Sequence, residues 1–316
     1  TGAEAKNNYA QTYTGAYTQF LKEENVLFSR AGFAGAHRTP IHWGGDQQSE
    51  NGELYSVLQA GLSAAMTGIP FWSFDIAGFA GPLPSPDLYR RATQLACFVP
   101  VMQWHSEPDG GQFKELMPGM DGNNERSPWN IAKAWNCPAF TDEMRFWHRL
   151  RMNLLPYLYS TALQCCREYR PMMRPLVYDW QQDPEAVRAE DEYMLGDSLL
   201  VAPVFDQDEF SVYLPEGTWA DFFTGRLIEG GRWISLQPAL DQIPVYIRPN
   251  TIVPMLASDD CRGLEEPYKD LTVCMNLKDR LSCTFYDDGY KGHFTAELRN
   301  GCLRITTGMP VKEIIL

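Results

Sequence analysis

Residues 69–105 read IPFWSFDIAGFAGPLPSPDLYRRATQLACFVPVMQWH, and their grammar decides the fold. The opening IPFWSFDIAGF is an apolar run that ends in a Gly-containing turn, which predicts a buried strand. AGPLPSP has loop composition, DLYRRATQLACF has helical spacing, and VPVMQWH reads as a second strand. Upstream the pattern repeats: LYSVLQAGLSAAMTG is a helix stopped at Gly68, and VLFSRAGF is a short buried strand. Before that, Tyr9, Tyr13, Ala16, Tyr17, Phe20 and Leu21 recur at the spacing of an amphipathic helix that ends in the polar KEEN. Helix alternating with strand predicts parallel βα units, and so an α/β fold, rather than an antiparallel meander.

Downstream, residues 106–132 form a Gly-, Asn- and Pro-rich loop that follows the C-terminal end of a predicted strand. In a βα barrel that is the face where chemistry sits. The long helical pattern FTDEMRFWHRLRMNLLPYLYSTALQCCREY follows from Phe140, and Pro156 is predicted to kink or divide it. Beyond Arg170 the pattern changes. SLLVAPVF, FSVYLP, WADFFTG, RWISL, IPVYIRPNTIVPML and LSCTFYDDG are short strand-like runs between Gly, Pro and Asp turns, the composition of β-sandwiches. One domain boundary is expected near 170–180 and a second in the polar stretch 257–270.

With 44% apolar residues over 316 positions, the chain can bury a sizeable core and fold as more than one domain. A net charge of −13 argues against a nucleic-acid or anionic-membrane partner, which needs clustered Lys and Arg, and favours a neutral ligand. Eight cysteines at irregular spacing, with no CxxC pair, point to reduced thiols rather than a zinc site or a disulfide framework. No apolar run approaches a membrane span, and TGAEAKNNYA lacks the basic start and apolar core of a signal peptide. The expectation is a cytoplasmic protein, or one whose true N-terminus lies upstream of Thr1.

Polar residues fall where strands should end: Arg30, Asp46, Asp75 and His105. Strand-end residues of separate βα units converge on one barrel mouth, where an Arg, two carboxylates and a His suit charge-assisted hydrogen bonds to a polyhydroxylated ligand. Each also has a plain structural role open to it. Arg30 can pair with a structural acid, Asp46 can cap the helix that follows, Asp75 can bond turn amides, and His105 can be a core histidine. His37 and His42 lack the spacing and the third ligand of a zinc site, so no metal is expected. GxSxG and GxxxxGK[ST] are absent, which removes the nucleophile-elbow and phosphate-loop classes.

The stretches FSRAGFAGAHRTPIHWGGD, GIPFWSFDIAGF, PVMQWHSE with ERSPWNIA, LLPYLYSTA, RPMMRPL and YMLGDSLLVAPVF together resemble glycoside hydrolase family 31, from about Asn8 to the YDDG turn at Tyr286. The resemblance implies that Asp46 is the general acid/base and its neighbour Trp43 an aromatic wall. It implies further that Arg30, Asp75 and His105 hold the sugar at the point of cleavage and that Phe79 lines the same pocket; Trp72 is read as packing. A retaining glycosidase needs two carboxyl groups roughly 5 to 5.5 Å apart. Its acid needs an apolar neighbour to stay protonated near neutral pH, a part that Trp43 is placed to play.

The family's nucleophilic aspartate sits at the end of the fourth barrel strand, ahead of a helix resembling NNYAQTYTGAYTQFL, and has no counterpart in this chain. The implied architecture is therefore α/β plus all-β: the C-terminal part of a (β/α)8 TIM barrel, residues 1–172, a proximal β-sandwich domain, 173–257, and a distal β-domain, 258–316. Such a chain is expected to hydrolyse nothing alone, and to be covered by the N-terminal half of the enzyme or by another copy. No cofactor is implied, because two carboxyl groups suffice. Retaining cleavage of a terminal α-glucosidic bond is the leading expectation. The alternatives are an α-xylosidase, a non-catalytic carbohydrate-binding fragment, and transglycosidase or lyase chemistry at the same site.

Overall fold

Strands Phe28–Ser29 (β1), Ile41–Trp43 (β2) and Phe71–Ser73 (β3) pair in parallel, in the order β1-β2-β3, in the computed structural model of the chain. Ile41 lies opposite both Phe28 and Phe71, so the strands start in step; β2 and β3 end together at Trp43 and Ser73, and β1 ends one position earlier, at Ser29. The structure describes residues 2–21, 25–105, 126–205, 210–257, 268–287 and 289–315; most of the loop after His105 and of the second predicted boundary lies outside them. The described residues divide into two compact units, residues 1–140 with 169–173, and residues 141–168 with 174–316.

In the first unit, helix Tyr9–Thr18 (α1) precedes β1, helix Asn51–Met66 (α2) connects β2 to β3, and helix Pro86–Cys97 (α3) follows β3. Leu54, Val57, Leu58, Leu62 and Ala65 of α2 are buried at helical spacing, the apolar stripe that fixes it to the sheet. Trp72 packs there too. A Cβ on Gly61 would lie 2.5 Å from Trp72 Cδ1, so the indole occupies the space that any other residue would fill. At the start of α3 the Ser85 hydroxyl accepts from the Leu88 amide at 3.1 Å and Pro86 takes the first turn, a cap legible in LPSPDL.

The predicted strand VPVMQWH is realised only in part. Val101 donates to the Trp72 carbonyl at 3.2 Å, and Gln103 bridges Asp75 in parallel, but Pro100 has no amide to extend the ladder. A further helix, Pro128–Ala134 (α4), begins at Ser127, whose hydroxyl accepts from the Asn130 amide at 3.2 Å.

In the second unit the long helical pattern is divided, as Pro156 requires. Helix Phe140–Asn153 (α5) ends and helix Leu155–Glu168 (α6) starts one residue later, with Pro156 in its first turn. A six-stranded sheet follows, built from Met173–Pro175 (β4), Tyr193–Leu195 (β5), Leu199–Val201 (β6), Thr218–Asp221 (β8), Leu227–Glu229 (β9) and Val245–Ile247 (β11). Phe210–Leu214 (β7) and Arg232–Leu236 (β10) form a separate antiparallel pair. Buried Met194, Leu200, Val212, Leu214, Trp219 and Tyr246 join these sheets in one core.

Two three-stranded sheets complete the unit. One joins Thr251–Leu256 (β12), Leu271–Asn276 (β13) and Val311–Ile315 (β17); the other joins Arg280–Asp287 (β14), Tyr290–Arg299 (β15) and Cys302–Thr307 (β16). They share a core of Leu271, Val273, Phe285 and Phe294. Every cysteine among the described residues is a free thiol, with Cys97 and Cys165 buried and Cys166 and Cys302 exposed.

Candidate active site at the strand ends

Because β1, β2 and β3 are parallel and share one register, with ends within one position of each other, the residues just beyond them emerge at the same end of the sheet. Arg30 follows β1, the loop Gly44-Gly45-Asp46 follows β2, and the turn bearing Asp75 and Phe79 follows β3. Arg30 Nη1 donates to Asp46 Oδ2 at 3.1 Å, with the two side chains 56% and 44% exposed. At that exposure an ion pair contributes about 0–1 kcal/mol, so its value is in orientation rather than stability. Gly45 makes the approach possible: its φ is +85°, and a Cβ there would stand 2.7 Å from Arg30 Nε.

The helix-cap reading of Asp46 does not hold. Helix α2 has Glu50 at its N-cap, four positions further on, and Asp46 turns instead to Arg30. The described hydrogen-bond partner of its carboxylate is therefore the Arg30 guanidinium. The ring of Trp43 packs edge-on to Phe28, 5.1 Å between centroids.

Asp75 is the buried carboxyl of the group, with no exposed surface. Gln103 donates its amide to Oδ1, and Gln47 donates to the Asp75 backbone carbonyl at 2.7 Å. Burial pushes its pKa up to about 6; the Asp46 charge pushes the same way, against the Gln103 hydrogen bond and the charges of His105 and Arg126. Asp46 and His105 thus both act electrostatically on Asp75. Phe79 and His105 lie with ring centroids 5.1 Å apart, so the structure brings together Arg30 with Asp46, and Asp75 with Phe79 and His105.

The turn after β3 is seated on the loop after β2. The amides of Phe79 and Ala80 both donate to the Gln47 carbonyl, at 2.9 and 3.1 Å. Gly78, at φ +89°, would place a Cβ 2.8 Å from the Gln48 carbonyl carbon. Arg126 locks the same turn from beneath. Fully buried, it donates to the Ser49 hydroxyl and to the carbonyls of Ala77, Gly78 and Gly81. It lies in the ERSPWNIA stretch that carries part of the resemblance, but sequence reasoning gave it no role, since nothing in that stretch shows that three carbonyls some 45 to 49 positions away need a donor.

Buried polar atoms without a partner among the described residues of these strands and the loops after them include Trp43 Nε1 and Asp75 Oδ2, together with Gln47 Oε1, Trp72 Nε1 and Ser73 Oγ. Buried polar groups are normally satisfied, so a donor and an acceptor left open at neighbouring strand ends match a ligand that carries hydroxyls.

Comparison with known proteins places this geometry in context. The family described as "Glycosyl hydrolases family 31 TIM-barrel domain" matches residues 1–161, and "Glycosyl hydrolase family 31 C-terminal domain" matches 169–253. An isomaltosyltransferase of Sporosarcina globispora is 40% identical over 90% of this chain and 26% of its own length. An α-glucosidase of Saccharolobus solfataricus is 30% identical over 96% of this chain and 40% of its own. Among solved structures, the cycloalternan-forming enzyme from Listeria monocytogenes, in complex with a pentasaccharide substrate, superposes with a TM-score of 0.88 at 34% identity, covering 96% of this chain and 30% of that one. The chain spans between about a quarter and two fifths of the length of these relatives.

Proposed function

The chain belongs to glycoside hydrolase family 31, and from that premise we propose that it carries the acid/base side of a retaining active site for terminal α-glucosidic bonds. In this reading Asp46 protonates the departing oxygen and then takes the proton of the incoming hydroxyl, while Arg30 holds its carboxylate in place. Trp43, Asp75, Phe79 and His105 bind the sugar. The attacking carboxylate comes from outside these 316 residues.

The observation that carries the reading is the pairing of unlike carboxyl groups at adjacent strand ends. Asp75, buried and held up to about 6, is protonated in mildly acidic solution and so poorly suited to attack an anomeric carbon; its open Oδ2 can donate that proton to a sugar hydroxyl oxygen or, once ionised, accept from a hydroxyl. Asp46, half-exposed beside Arg30, can reach the leaving group and solvent alike.

A second reading concerns the acceptor. The names of the isomaltosyltransferase and of the cycloalternan-forming enzyme favour transfer of a glycosyl group, isomaltosyl in the first, to a sugar hydroxyl over transfer to water. The strand-end groups serve both, because the base that activates water also activates a hydroxyl.

The chain alone is expected to leave an aryl α-glucoside intact, and turnover matching that of intact relatives would remove the claim of an external nucleophile. Once completed by the nucleophile-bearing part, Asp46→Asn should slow cleavage of a disaccharide by about 10²–10⁴-fold. Azide should restore rate with an activated aryl glucoside as a glucosyl azide appears. An Asp46→Asn protein of full activity overturns the assignment, and chromatography of the products separates water from sugar as acceptor.

A further inference from the structure

A hollow of about 370 Å³, lined wholly by residues of the second unit, lies within the range of roughly 300–1,000 Å³ usual for small-ligand sites. Phe146 and Trp147 line it from α5, and Phe223 and Thr224 from the turn after β8; Gln237 and Asp241 are among its polar lining residues. Trp147 is buried. Edge-on to its ring stand Phe146, at 5.1 Å, and Phe223, at 6.1 Å, and these two phenyl groups remain 53% and 44% exposed. Large apolar rings left open to solvent are unfavourable unless something covers them in use.

The turn that presents Phe223 is fixed. Asp221 Oδ1 accepts from the Phe223 amide at 3.0 Å and from the Thr224 amide and hydroxyl at 2.8 Å each. The rings are therefore held ready rather than collapsed on the surface, which lowers the ordering cost of binding. No Lys or Arg is among the described lining residues, so nothing there would receive a phosphate or a carboxylate. Asp241 and Gln237 instead offer acceptors, and the amide a donor, beside apolar ring faces. An uncharged ligand with hydroxyls on its rim and C–H groups on its face meets every one of these features.

We propose that this hollow is an accessory carbohydrate site for α-linked gluco-oligosaccharides, with Phe146 and Phe223 as stacking platforms and Asp241 and Gln237 as hydroxyl partners. It rests on the proposed function for the choice of sugar, but not on its chemistry. Its task is to hold a stretch of the chain other than the residues at the bond being cleaved, lengthening the residence of polymeric substrate.

The test is calorimetric titration of the 316-residue chain with isomaltotetraose and maltotetraose, alongside electrophoresis in gels containing dextran. Phe223→Ala and Asp241→Ala should each weaken binding by about tenfold or more, an interface loss typical of a stacking or hydrogen-bonding anchor. Phe223→Trp should retain it, and Asp46→Asn should not change it. Thermal midpoints within a few degrees of the parent protein show that the surface variants fold. Absence of binding by the parent chain, equal binding by Phe223→Ala and Asp241→Ala, or a loss seen only on changing Asp46 would each overturn the proposal. So would capture of a protein segment, in place of sugar, at the same rings. Failure of the cleavage assay with sugar binding intact would remove the proposed catalysis and leave this site standing.

Discussion

Asp75 carries the sharpest consequence at the scale of a single residue. Its folded pKa of about 6 lies above the ordinary aspartate value of 3.8, so the folded protein holds a proton that the unfolded chain has released between those values. Stability from this group is therefore full below about pH 4, falls as the pH rises through the window, and levels off above about pH 6. Asp75→Asn keeps an oxygen to accept from Gln103 and has no charge to desolvate, so its urea midpoint should fall less between about pH 4.5 and 7.5 than that of the parent chain. Parallel pH profiles for the two proteins would contradict the assignment. Arg30, Asp46, Asp75 and His105 were legible because strand ends are legible, and strand ends are where polar residues interrupt an apolar run. The partnership of Asp46 with Arg30 was not, since it depends on Gly45 leaving room for a side chain 15 positions away in sequence. Arg126 was illegible for a related reason: its partners are backbone carbonyls, which every residue has.

At the scale of elements, the motifs that survive in the second unit turn out to hold it together. Arg174, from RPMMRPL, is wholly buried and donates to Asp179 at 2.8 Å, to Asp197 at 3.1 Å and to the Gly196 carbonyl at 3.0 Å. It thereby ties β4 to the β5–β6 turn of YMLGDSLLV. Arg174→Met strands two carboxylates and a carbonyl, and should lower the unfolding free energy by about 3 kcal/mol, toward the low end for a broken buried pair because Asp197 keeps 39% exposure. Chemical denaturation of the two proteins measures it, and a loss below about 0.5 kcal/mol would mean that the clamp is dispensable. Helices were the legible elements: α2 and α3 announce themselves by spacing and caps, and Pro156 by its missing amide. Strands were legible where apolar runs are continuous, as in β6 and β7, and were lost where only one face is covered. In β15, YKGHFTAELR, the buried positions are Gly292, Phe294 and Ala296, and a glycine and an alanine give an alternating pattern little contrast.

At the scale of the whole molecule, the first unit is an apolar surface in search of cover. Tyr9, Tyr13 and Tyr17 of α1 are 67%, 51% and 50% exposed, their rings in file at 5.9 and 5.0 Å, and no residue of α1 is buried. The amphipathic stripe read from the sequence is present, yet nothing among the described residues lies over it. The outer edge of β1 likewise has no partner strand among the described residues, whereas parallel sheets are ordinarily covered on both faces. A helix of ten residues is marginal in water without packing, so in the chain alone α1 should exchange its amide hydrogens within seconds while α2 and α3 remain protected. Sedimentation of the same chain should show association that increases with concentration, driven by this face. Adding the part of the enzyme that we propose supplies the nucleophile should protect α1 and suppress self-association together, because one surface serves both. Strong protection of α1 in a dilute, monomeric chain would show that the unit needs no cover, and with it would go the argument that completion of the barrel and completion of the catalytic carboxyl pair are a single event.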